Sequence, residues 1–344
     1  MNTSNGTKRR TFARLGVSLL VLAAGLAGMP AGAQVSEIRF AKGFGIPYLP
    51  VIILEEQGLV EKHTKLLGLP EAKARFIQLA SGAAMTDALI SGNLEYATGG
   101  PGPLLTVWDK TRTSLNVRGI AAISSIPIYL NTINPKVKTI RDFSDADRIA
   151  VPSVKISTQA VTLQIAAEKE FGRGKHDVLD RLTVSMAPPD GHNAMMSKGT
   201  EINANFTSPP FMYLQLQNNH ARTVLSSYSV MEGPTTFILM WTTQKFHDAN
   251  PKHHQAVLNA LEEANKYIKE NPRGAAEAFI KNQKSKLDLA FVQEMIANPE
   301  NHFTTAPQNL MKYADFMSRI GSLKQRPASW KDVFFPEVHD RQGS

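Results

Sequence analysis

Residues 80–103 read ASGAAMTDALISGNLEYATGGPGP and predict a short helix, a glycine stop and a short strand in immediate succession. Ser81 is a favourable helix N-cap, because its hydroxyl can accept a hydrogen bond from an unpaired backbone N–H group. Apolar residues recur at helical spacing over residues 84–89, which is typical of an amphipathic helix. Gly92 tolerates a positive φ and is therefore expected to end this helix.

The strand predicted over residues 94–98, where Leu94, Tyr96 and Thr98 alternate with other residues, runs into a glycine-rich loop. This loop, GGPGP at residues 99–103, has almost no side chains, so a ligand can approach its backbone closely. A capped helix start also presents free N–H groups and a partial positive charge. The stretch therefore predicts two backbone surfaces that suit a ligand.

The same unit occurs a second time further along the chain. Residues 190–199, DGHNAMMSKG, predict a second capped helix that begins at Asp190 and ends at a glycine. Residues 202–206 then alternate as a strand does, and TSPP at residues 207–210 replaces the glycine-rich loop. A repeated unit suggests two similar lobes, although single units of this kind are common in α/β proteins.

Strand and helix patterns alternate along most of the chain. Strand patterns at residues 38–41, 74–79 and 117–123 are separated by helical ones, and a second series begins at residue 128. Beyond residue 250 the patterns are helical, with an apolar stripe formed by Val257, Leu261, Ala264 and Ile268. This alternation predicts an α/β fold with mostly parallel sheets covered by helices.

The N-terminus has the features of an export signal. Lys8, Arg9, Arg10 and Arg14 precede an apolar run at residues 15–29, and small residues follow at the expected cleavage site. We expect cleavage after Ala33, because the run is short for a membrane span of the mature protein. The segment KRRTFAR resembles a twin-arginine signal, which exports folded proteins, with an ordinary secretory signal as the alternative.

The composition excludes several classes of protein. The absence of cysteine excludes disulfides, thiolate metal sites, iron–sulfur clusters, a cysteine nucleophile and a lipid anchor at the cleavage site. The net charge of +8 includes four basic residues of the signal, which leaves +8 − 4 = +4 for the mature chain. That charge is too small to indicate nucleic-acid binding. We expect a soluble periplasmic monomer without a cofactor.

An ordered set of segments resembles the periplasmic substrate-binding proteins of ABC importers, in the nitrate/sulfonate/bicarbonate (taurine- and alkanesulfonate-like) family. The matching segments are YLP at 48–50, EQGLVEK at 56–62, ASGAA at 80–84, SGNLEYA at 91–97, RIAVP at 148–152, ENP at 270–272, FM at 316–317, IG at 320–321 and Pro327. The set covers nearly all of the mature chain in the family's order. The sequence departs from the family at Glu95 and Asn203, where the family usually has Asp.

The resemblance implies a two-lobed periplasmic binding protein fold of type II, with a ligand cleft between the lobes. Carried onto this chain, one lobe comprises residues 34–126 and 229–344, and the other comprises residues 127–228. The chain would cross between them near residues 124–127 and 229–235, and the C-terminal helices would complete the first lobe. The implied partners are a small ligand and a permease in the inner membrane.

The loops expected past the carboxyl ends of the strands contain no Asp or Glu, which disfavours cationic ligands. They are rich in hydroxyls and glycine amides, and two of them meet predicted helix starts at Ser81 and at Ser157/Thr158. Neutral dipoles of this kind suit a small anion such as a sulfonate, a carboxylate or nitrate. Lys155 is the one cation in these loops, either as a ligand contact or as an exposed lysine.

Four aromatic residues near these loops could form an apolar wall for an organic tail. Tyr48 is the favoured one, Phe44 and Phe211 are further candidates, and Phe206 is expected in the core because it lies in a strand pattern. The candidate ligand-binding residues are Phe44, Tyr48, Ser81, Gly82, Gly99, Gly100, Pro101, Ser125, Lys155, Ser157, Thr158, Thr207 and Ser208.

Neither a catalytic site nor a metal site is predicted. The sequence contains no H-E-x-x-H, G-x-S-x-G or P-loop motif, and His253 and His254 are adjacent, so they cannot easily share one metal. One alternative is a binder of the thiamine pyrimidine, which would stack its ring on Tyr48 or Phe44. Another is an enzyme on the same fold, although the similar pyrimidine synthases use a cysteine-rich iron motif that is absent here.

Overall fold

The computed structural model describes residues 35–197 and 199–344, and in these residues strands and helices alternate as the sequence predicts. The strands are β1 (Glu37–Lys42), β2 (Lys73–Gln78), β3 (Ala97–Gly99), β4 (Arg118–Ser125), β5 (Tyr129–Thr132), β6 (Ile149–Val151), β7 (Thr183–Ser185), β8 (Ala204–Thr207), β9 (Arg222–Ser226) and β10 (Thr236–Thr242). The helices are α1 (Leu49–Glu56), α2 (Leu59–Leu66), α3 (Gly82–Ile90), α4 (Pro101–Thr111), α5 (Thr158–Phe171), α6 (Pro188–Met196), α7 (Phe211–Leu216), α8 (Ser227–Met231), α9 (Gln244–Ala249), α10 (Pro251–Glu270), α11 (Pro272–Asn282), α12 (Leu289–Ala297) and α13 (Leu310–Arg319).

The strands form two sets, and the first set contains β1 to β4 together with β10. β1 pairs with β2 in parallel, and β10 lies between β3 and β4 and is antiparallel to both. A parallel bridge between Phe40 and Tyr96 joins the two sheets, giving the spatial order β2-β1-β3-β10-β4. Four of these five strands therefore run in one direction, and β10 runs in the other.

The second strand set, β5 to β9, repeats this arrangement in a single sheet with the order β7-β6-β8-β5-β9. β6 is parallel to β7 and β8, whereas β5 is antiparallel to β8 and β9. In both sets the reversed strand is the one that follows the passage of the chain from the other set. The mostly parallel character is confirmed, and the reversed strand is the feature that local sequence patterns do not reveal.

The chain changes strand set twice, between β4 and β5 and again between β9 and β10. Both changes coincide with the crossings expected near residues 124–127 and 229–235. The division into lobes of residues 34–126 with 229–344 and of residues 127–228 remains a prediction.

The C-terminal helices pack on helices that belong with the first strand set. α10 contacts α1 and α2, and α11 contacts α1. The stripe predicted on α10 is its buried face, since Val257, Leu261, Ala264 and Ile268 are all in the core. Burial of this apolar stripe holds α10 against α1 and α2.

The second helix–glycine–strand unit begins earlier than the sequence predicts. α6 starts at Pro188, and Ala187 occupies the N-cap without a side-chain hydrogen bond, so Asp190 lies in the first turn. Two successive prolines explain the difference, because the fixed φ of proline suits the first positions of a helix. Ser197, rather than a glycine, follows the last helical residue.

None of the helices in the described residues combines the length and the apolar content needed to cross a membrane. The predicted signal, its cleavage after Ala33 and the twin-arginine segment fall on residues 1–34, outside the described residues.

Candidate functional site

A small cavity of about 40 Å³ lies where the loops after six strands meet. Gly43, Ser81 and Gly99 line it from the carboxyl ends of β1, β2 and β3. Pro152, Pro188 and Ser208 line it from the carboxyl ends of β6, β7 and β8. The cavity therefore lies between the two strand sets, at the edge where ligand loops were expected.

Two serine-capped helices start at this cavity, as the sequence predicts. The Ser81 Oγ accepts a hydrogen bond from the Ala84 N–H at 3.3 Å at the start of α3. The Ser157 Oγ accepts from the Ala160 N–H at 3.3 Å at the start of α5, and it donates to the Ser153 carbonyl at 2.7 Å. Each cap satisfies one N–H group and leaves others at the helix start unpaired within the helix.

Two further helices begin beside the cavity. Gly100 is the N-cap of α4, and Pro188 is the first residue of α6. Together with α3 and α5, these helices direct four partial positive charges to one place. Among the described residues that line the cavity, none carries a formal charge at neutral pH. The helix starts are therefore the features of this wall that favour an anion, since no basic side chain of the described residues lines it.

The two strand sets touch through glycines at the edge of the cavity. A Cβ atom at Gly100 would overlap the Oγ1 of Thr158, and one at Gly102 would overlap the carbonyl oxygen of Ile156. A hydrogen bond also joins the two strand sets: the Ile46 N–H, in the loop after β1, donates to the Pro209 carbonyl, in the loop after β8, at 3.1 Å. This closeness requires glycine at positions 100 and 102, because no larger residue lets the two backbones approach so closely.

Thr158 has a hydroxyl without a partner among the described residues, although its Oγ1 is buried. An unpaired buried hydroxyl destabilises a protein by roughly 1–3 kcal/mol. Thr158 lies at the start of α5 and lines the cavity, so its hydroxyl is a candidate ligand contact once the packing against Gly100 opens. Gln159 follows it and also lines the cavity.

Tyr48 forms an aromatic part of the wall and is 8% exposed. Burial raises the pKa of its hydroxyl, so this group stays neutral and can donate a hydrogen bond at physiological pH. Its ring lies against the backbone of Gly43, where an added Cβ would lie 2.6 Å from the ring atom Cε2. Phe44 also lines the cavity, whereas Phe206 is fully buried in β8, in the core as expected.

Most of the predicted ligand-binding residues are brought together in this wall. They are Phe44, Tyr48, Ser81, Gly82, Gly99, Gly100, Ser157, Thr158 and Ser208.

The remaining predicted residues lie outside the lining of the cavity. Ser125 and Thr207 are buried at the ends of β4 and β8, and the Ser125 Oγ lies 3.3 Å from the Thr236 Oγ1. Pro101 is buried as the first residue of α4. Lys155 is exposed, with φ of +63°, in the loop before α5.

Sequence reasoning missed Pro188, Phe237 and Ile238 of the cavity lining, and it placed Gln159 in an expected ligand loop, residues 153–159, without naming it as a contact. The signal for Gln159 was its place one residue after two predicted contacts. Pro188 was missed because the start of α6 was placed at Asp190. Phe237 and Ile238 lie in β10, the reversed strand, and no local pattern indicates that this strand returns to the first set.

The residues that line the cavity are neutral at physiological pH. Among the described residues around the cavity there is no Asp, Glu, His, Lys or Arg, and the Tyr48 hydroxyl is the only titratable group. No pair of groups there could act as general acid and general base, and no set of side chains there could hold a metal.

Three solved structures show the same fold at low sequence identity. The alkanesulfonate-binding protein SsuA from Xanthomonas axonopodis pv. citri, bound to MOPS, is 15% identical with a TM-score of 0.70, over 88% of this chain and 99% of that chain. The periplasmic aliphatic sulphonate binding protein SsuA from Escherichia coli is 15% identical, with a TM-score of 0.64 over 87% of this chain and 92% of that chain. The periplasmic nitrate-binding protein NrtA from Synechocystis PCC 6803 is 15% identical, with a TM-score of 0.65 over 87% of this chain and 84% of that chain.

These likenesses confirm the periplasmic binding protein fold that the resemblance implied. No curated protein matches the chain significantly. A family model described as the NMT1-like family matches residues 31–281, which is well over half of the sequence. The chain belongs to the NMT1-like family.

Proposed function

We propose that this protein is the substrate-binding component of an ABC importer, which captures a small anion and delivers it to a permease in the inner membrane. The solved neighbours include proteins named for binding sulfonates and nitrate, which supports an anionic ligand. The predicted export signal supports a periplasmic location. We expect the protein to act as a monomer.

The observation that carries the proposal is the convergence of four helix starts on a cavity without charged side chains. An anion there would be held by backbone N–H groups and by hydroxyls such as that of Thr158. A cation would face the same partial positive charges, and within the part of the chain that the structure describes no carboxylate lines the cavity to offset them. The site thus favours anions through fixed dipoles.

The mechanism proposed is hinge closure of two lobes around the ligand. The cavity of about 40 Å³ has room for a few water molecules, since one water needs roughly 10–15 Å³. A sulfonate with an organic tail requires more space, so it would enter after the contact between Gly100 and Thr158 has opened. The segments expected to bend are the crossings at residues 124–127 and 229–235.

We further propose that the bound ligand is released unchanged. The only titratable group in the described wall, the Tyr48 hydroxyl, has a pKa raised by burial, so it is a weak acid and unsuited to proton transfer at neutral pH. Ligand recovered after denaturation should equal ligand bound, and a reproducible new product would contradict this.

The function is tested by measuring thermal stability with a panel of small molecules. Alkanesulfonates, nitrate, simple carboxylates and aromatic acids form the anionic arm, and polyamines and the thiamine pyrimidine form the other arms. At 100 times its Kd a ligand stabilises the folded state by roughly 2.7 kcal/mol, which raises the Tm measurably. We expect one anionic class to do so.

Two results would count against the proposal. Stabilisation by a polyamine alone would show that the helix dipoles do not select the ligand. Stabilisation by the thiamine pyrimidine alone would favour the alternative binder, in which Phe44 or Tyr48 stacks on a ring.

A further inference from the structure

Three potential metal ligands converge near the beginning of β3, whereas the cavity lies at the end of that strand. They are His247 at the end of α9, His254 in α10 and Glu337 in the short 3-10 turn Pro336–Val338. One ligand atom from each lies within 4.8 Å of the other two. The three residues come from separate segments of the chain, so no local spacing in the sequence indicates the cluster.

His254 is buried without a hydrogen-bond partner among the described residues. Its side chain is 1% exposed, and neither ring nitrogen makes a hydrogen bond. Its Nε2 lies 3.8 Å from a carboxylate oxygen of Glu337, which is too long for a hydrogen bond. A buried imidazole left in this state destabilises the fold, and a metal ion is one partner that would bind the lone pair of a ring nitrogen.

His247 is held in the orientation that metal-binding histidines usually have. Its Nδ1 lies 2.8 Å from the Asp248 carboxylate, and its Nε2 lies 2.8 Å from Glu337. Its ring stacks on Phe335, with centroids 3.9 Å apart and an angle of 1° between the planes. Both ring nitrogens therefore face a carboxylate. Asp248 at Nδ1 fixes the ring as carboxylates fix metal-binding histidines, and an ion would bind Nε2 in place of its direct contact with Glu337.

The spacing and the exposure of the three groups fit a tetrahedral ion. With Zn–N and Zn–O distances of about 2.0–2.2 Å, tetrahedral ligand atoms lie about 3.3–3.6 Å apart. The ligand atoms here lie within 4.8 Å of one another, so small side-chain movements would bring them to that spacing. The Glu337 side chain is 31% exposed, so an ion can enter from solvent and keep a water as its fourth ligand.

We propose that His247, His254 and Glu337 form a binding site for a zinc-like divalent cation, with Asp248 as the positioning residue for His247. The ion would replace the missing partner of His254 and neutralise the carboxylate beside it. It would link α9 and α10 to the C-terminal turn at Pro336–Val338.

This site is distinct from the ligand cavity. Tyr96 stacks on His254 with centroids 6.5 Å apart, and it lies just before β3. Gly99 and Gly100, at the other end of β3, line the cavity. Binding of the ion should therefore raise the stability of the fold and leave the affinity for the transported anion unchanged.

The test uses tag-free protein that has been stripped of metal and titrated with Zn²⁺ in a calorimeter. We expect one equivalent to bind and the Tm to rise. Co²⁺ in the same site should give the intense visible absorption of a tetrahedral complex, which a structural hydrogen-bond cluster cannot give. Glu337→Gln and His247→Gln should abolish this band, and Asp248→Asn should weaken Zn²⁺ binding about 10–100-fold.

His63→Gln is the matched control. The His63 Nε2 also lies 2.8 Å from a carboxylate, that of Glu263. His63 belongs to no group of three potential metal ligands among the described residues. This variant should bind Zn²⁺ as the parent does. The proposal is overturned if the parent shows no saturable Zn²⁺ binding, or if one equivalent still binds to folded His247→Gln/Glu337→Gln protein, with folding checked by circular dichroism.

Discussion

Thr158 and Gly100 meet across the cleft so closely that no side chain fits at position 100. The Cβ of an alanine there would overlap the Thr158 Oγ1 and lie 2.9 Å from the carbonyl oxygen of Phe237. Because Gly100 follows a strand of the first set and Thr158 begins a helix of the second, this contact reports how closely the two sets approach.

Gly100→Ala and Gly102→Ala should hinder the approach of the two strand sets. We expect each to weaken binding of the identified anion about tenfold or more, which corresponds to about 1.4 kcal/mol. Calorimetry measures the affinity, and small-angle scattering measures whether the liganded protein stays more extended than the parent.

Gly68→Ala is the control for these variants. Its methyl group would meet nothing within 4 Å, although its φ of +68° predicts some loss of stability. It should lose stability and keep its affinity. Unchanged affinity in Gly100→Ala and Gly102→Ala would mean that the liganded state is less closed than this structure.

Variants of Thr158 and of the two capping serines should affect ligand affinity and the free energy of unfolding differently. Ser81→Ala and Ser157→Ala remove caps that the structure shows, so each should lower the free energy of unfolding by about 0.5–2 kcal/mol. Thr158→Val removes an unpaired hydroxyl and should leave the free energy of unfolding equal or higher.

If the Thr158 hydroxyl binds the anion, Thr158→Val should also reduce affinity by about 1.5–3 kcal/mol. Ser81→Gly should keep most of the stability that Ser81→Ala loses. Urea unfolding and calorimetry on the same preparations provide both quantities. A Thr158→Val protein that binds as tightly as the parent would exclude this hydroxyl from the site.

The ion pair between Glu168 of α5 and Arg319 of α13 should make stability depend on pH in acid. The Arg319 guanidinium donates to both carboxylate oxygens, one of them at 2.9 Å, and it holds the pKa of Glu168 at about 2, below the ordinary 4.5. Because the folded-state pKa is lowered, the stabilisation is present above pH 4.5 and is lost as the pH falls toward 2.

Glu168→Gln should therefore reduce stability at pH 6 and flatten its decline between pH 4.5 and 2. The effect is expected to be small, because Arg319 is partly exposed and salt screens the pair. Arg319→Gln should give the same flattening, and the double variant should be no worse than either single one. Parallel pH profiles for parent and variants would contradict this account.

Processing of the N-terminus can be checked on exported protein. We expect mass spectrometry to find Gln34 as the first residue. Replacing Arg9 and Arg10 by Lys should block export if the twin-arginine route is used. Continued export of that variant would assign the protein to the general secretory route, and a retained N-terminus would contradict cleavage after Ala33.

Local patterns were sufficient for most elements and for the starts of α3 and α5. Ser81 and Ser157 are N-caps because a serine before an apolar helical pattern satisfies an N–H group whatever the rest of the fold does. The loops of the cavity followed from the rule that ligand loops lie past the carboxyl ends of strands.

What the sequence could not show depends on contacts between distant segments. Ile238 lines the cavity only because β10 inserts between β3 and β4. The pairing of Gly100 with Thr158, and the meeting of His247 with Glu337, likewise require the completed fold. Local sequence patterns do not indicate such contacts, because the residues that meet are far apart in the chain.

The reversed strands have a consequence for the order in which the chain can fold as it is synthesised. All five strands of the second set lie between residues 129 and 226, so that sheet can be completed from one continuous segment. The first set lacks its fourth strand until residues 236–242 have been made, and closing that gap costs additional loop entropy. The second strand set, β5 to β9, is thus expected to form first. The sheet of the first set can be completed only after β10 has been synthesised and has inserted between β3 and β4.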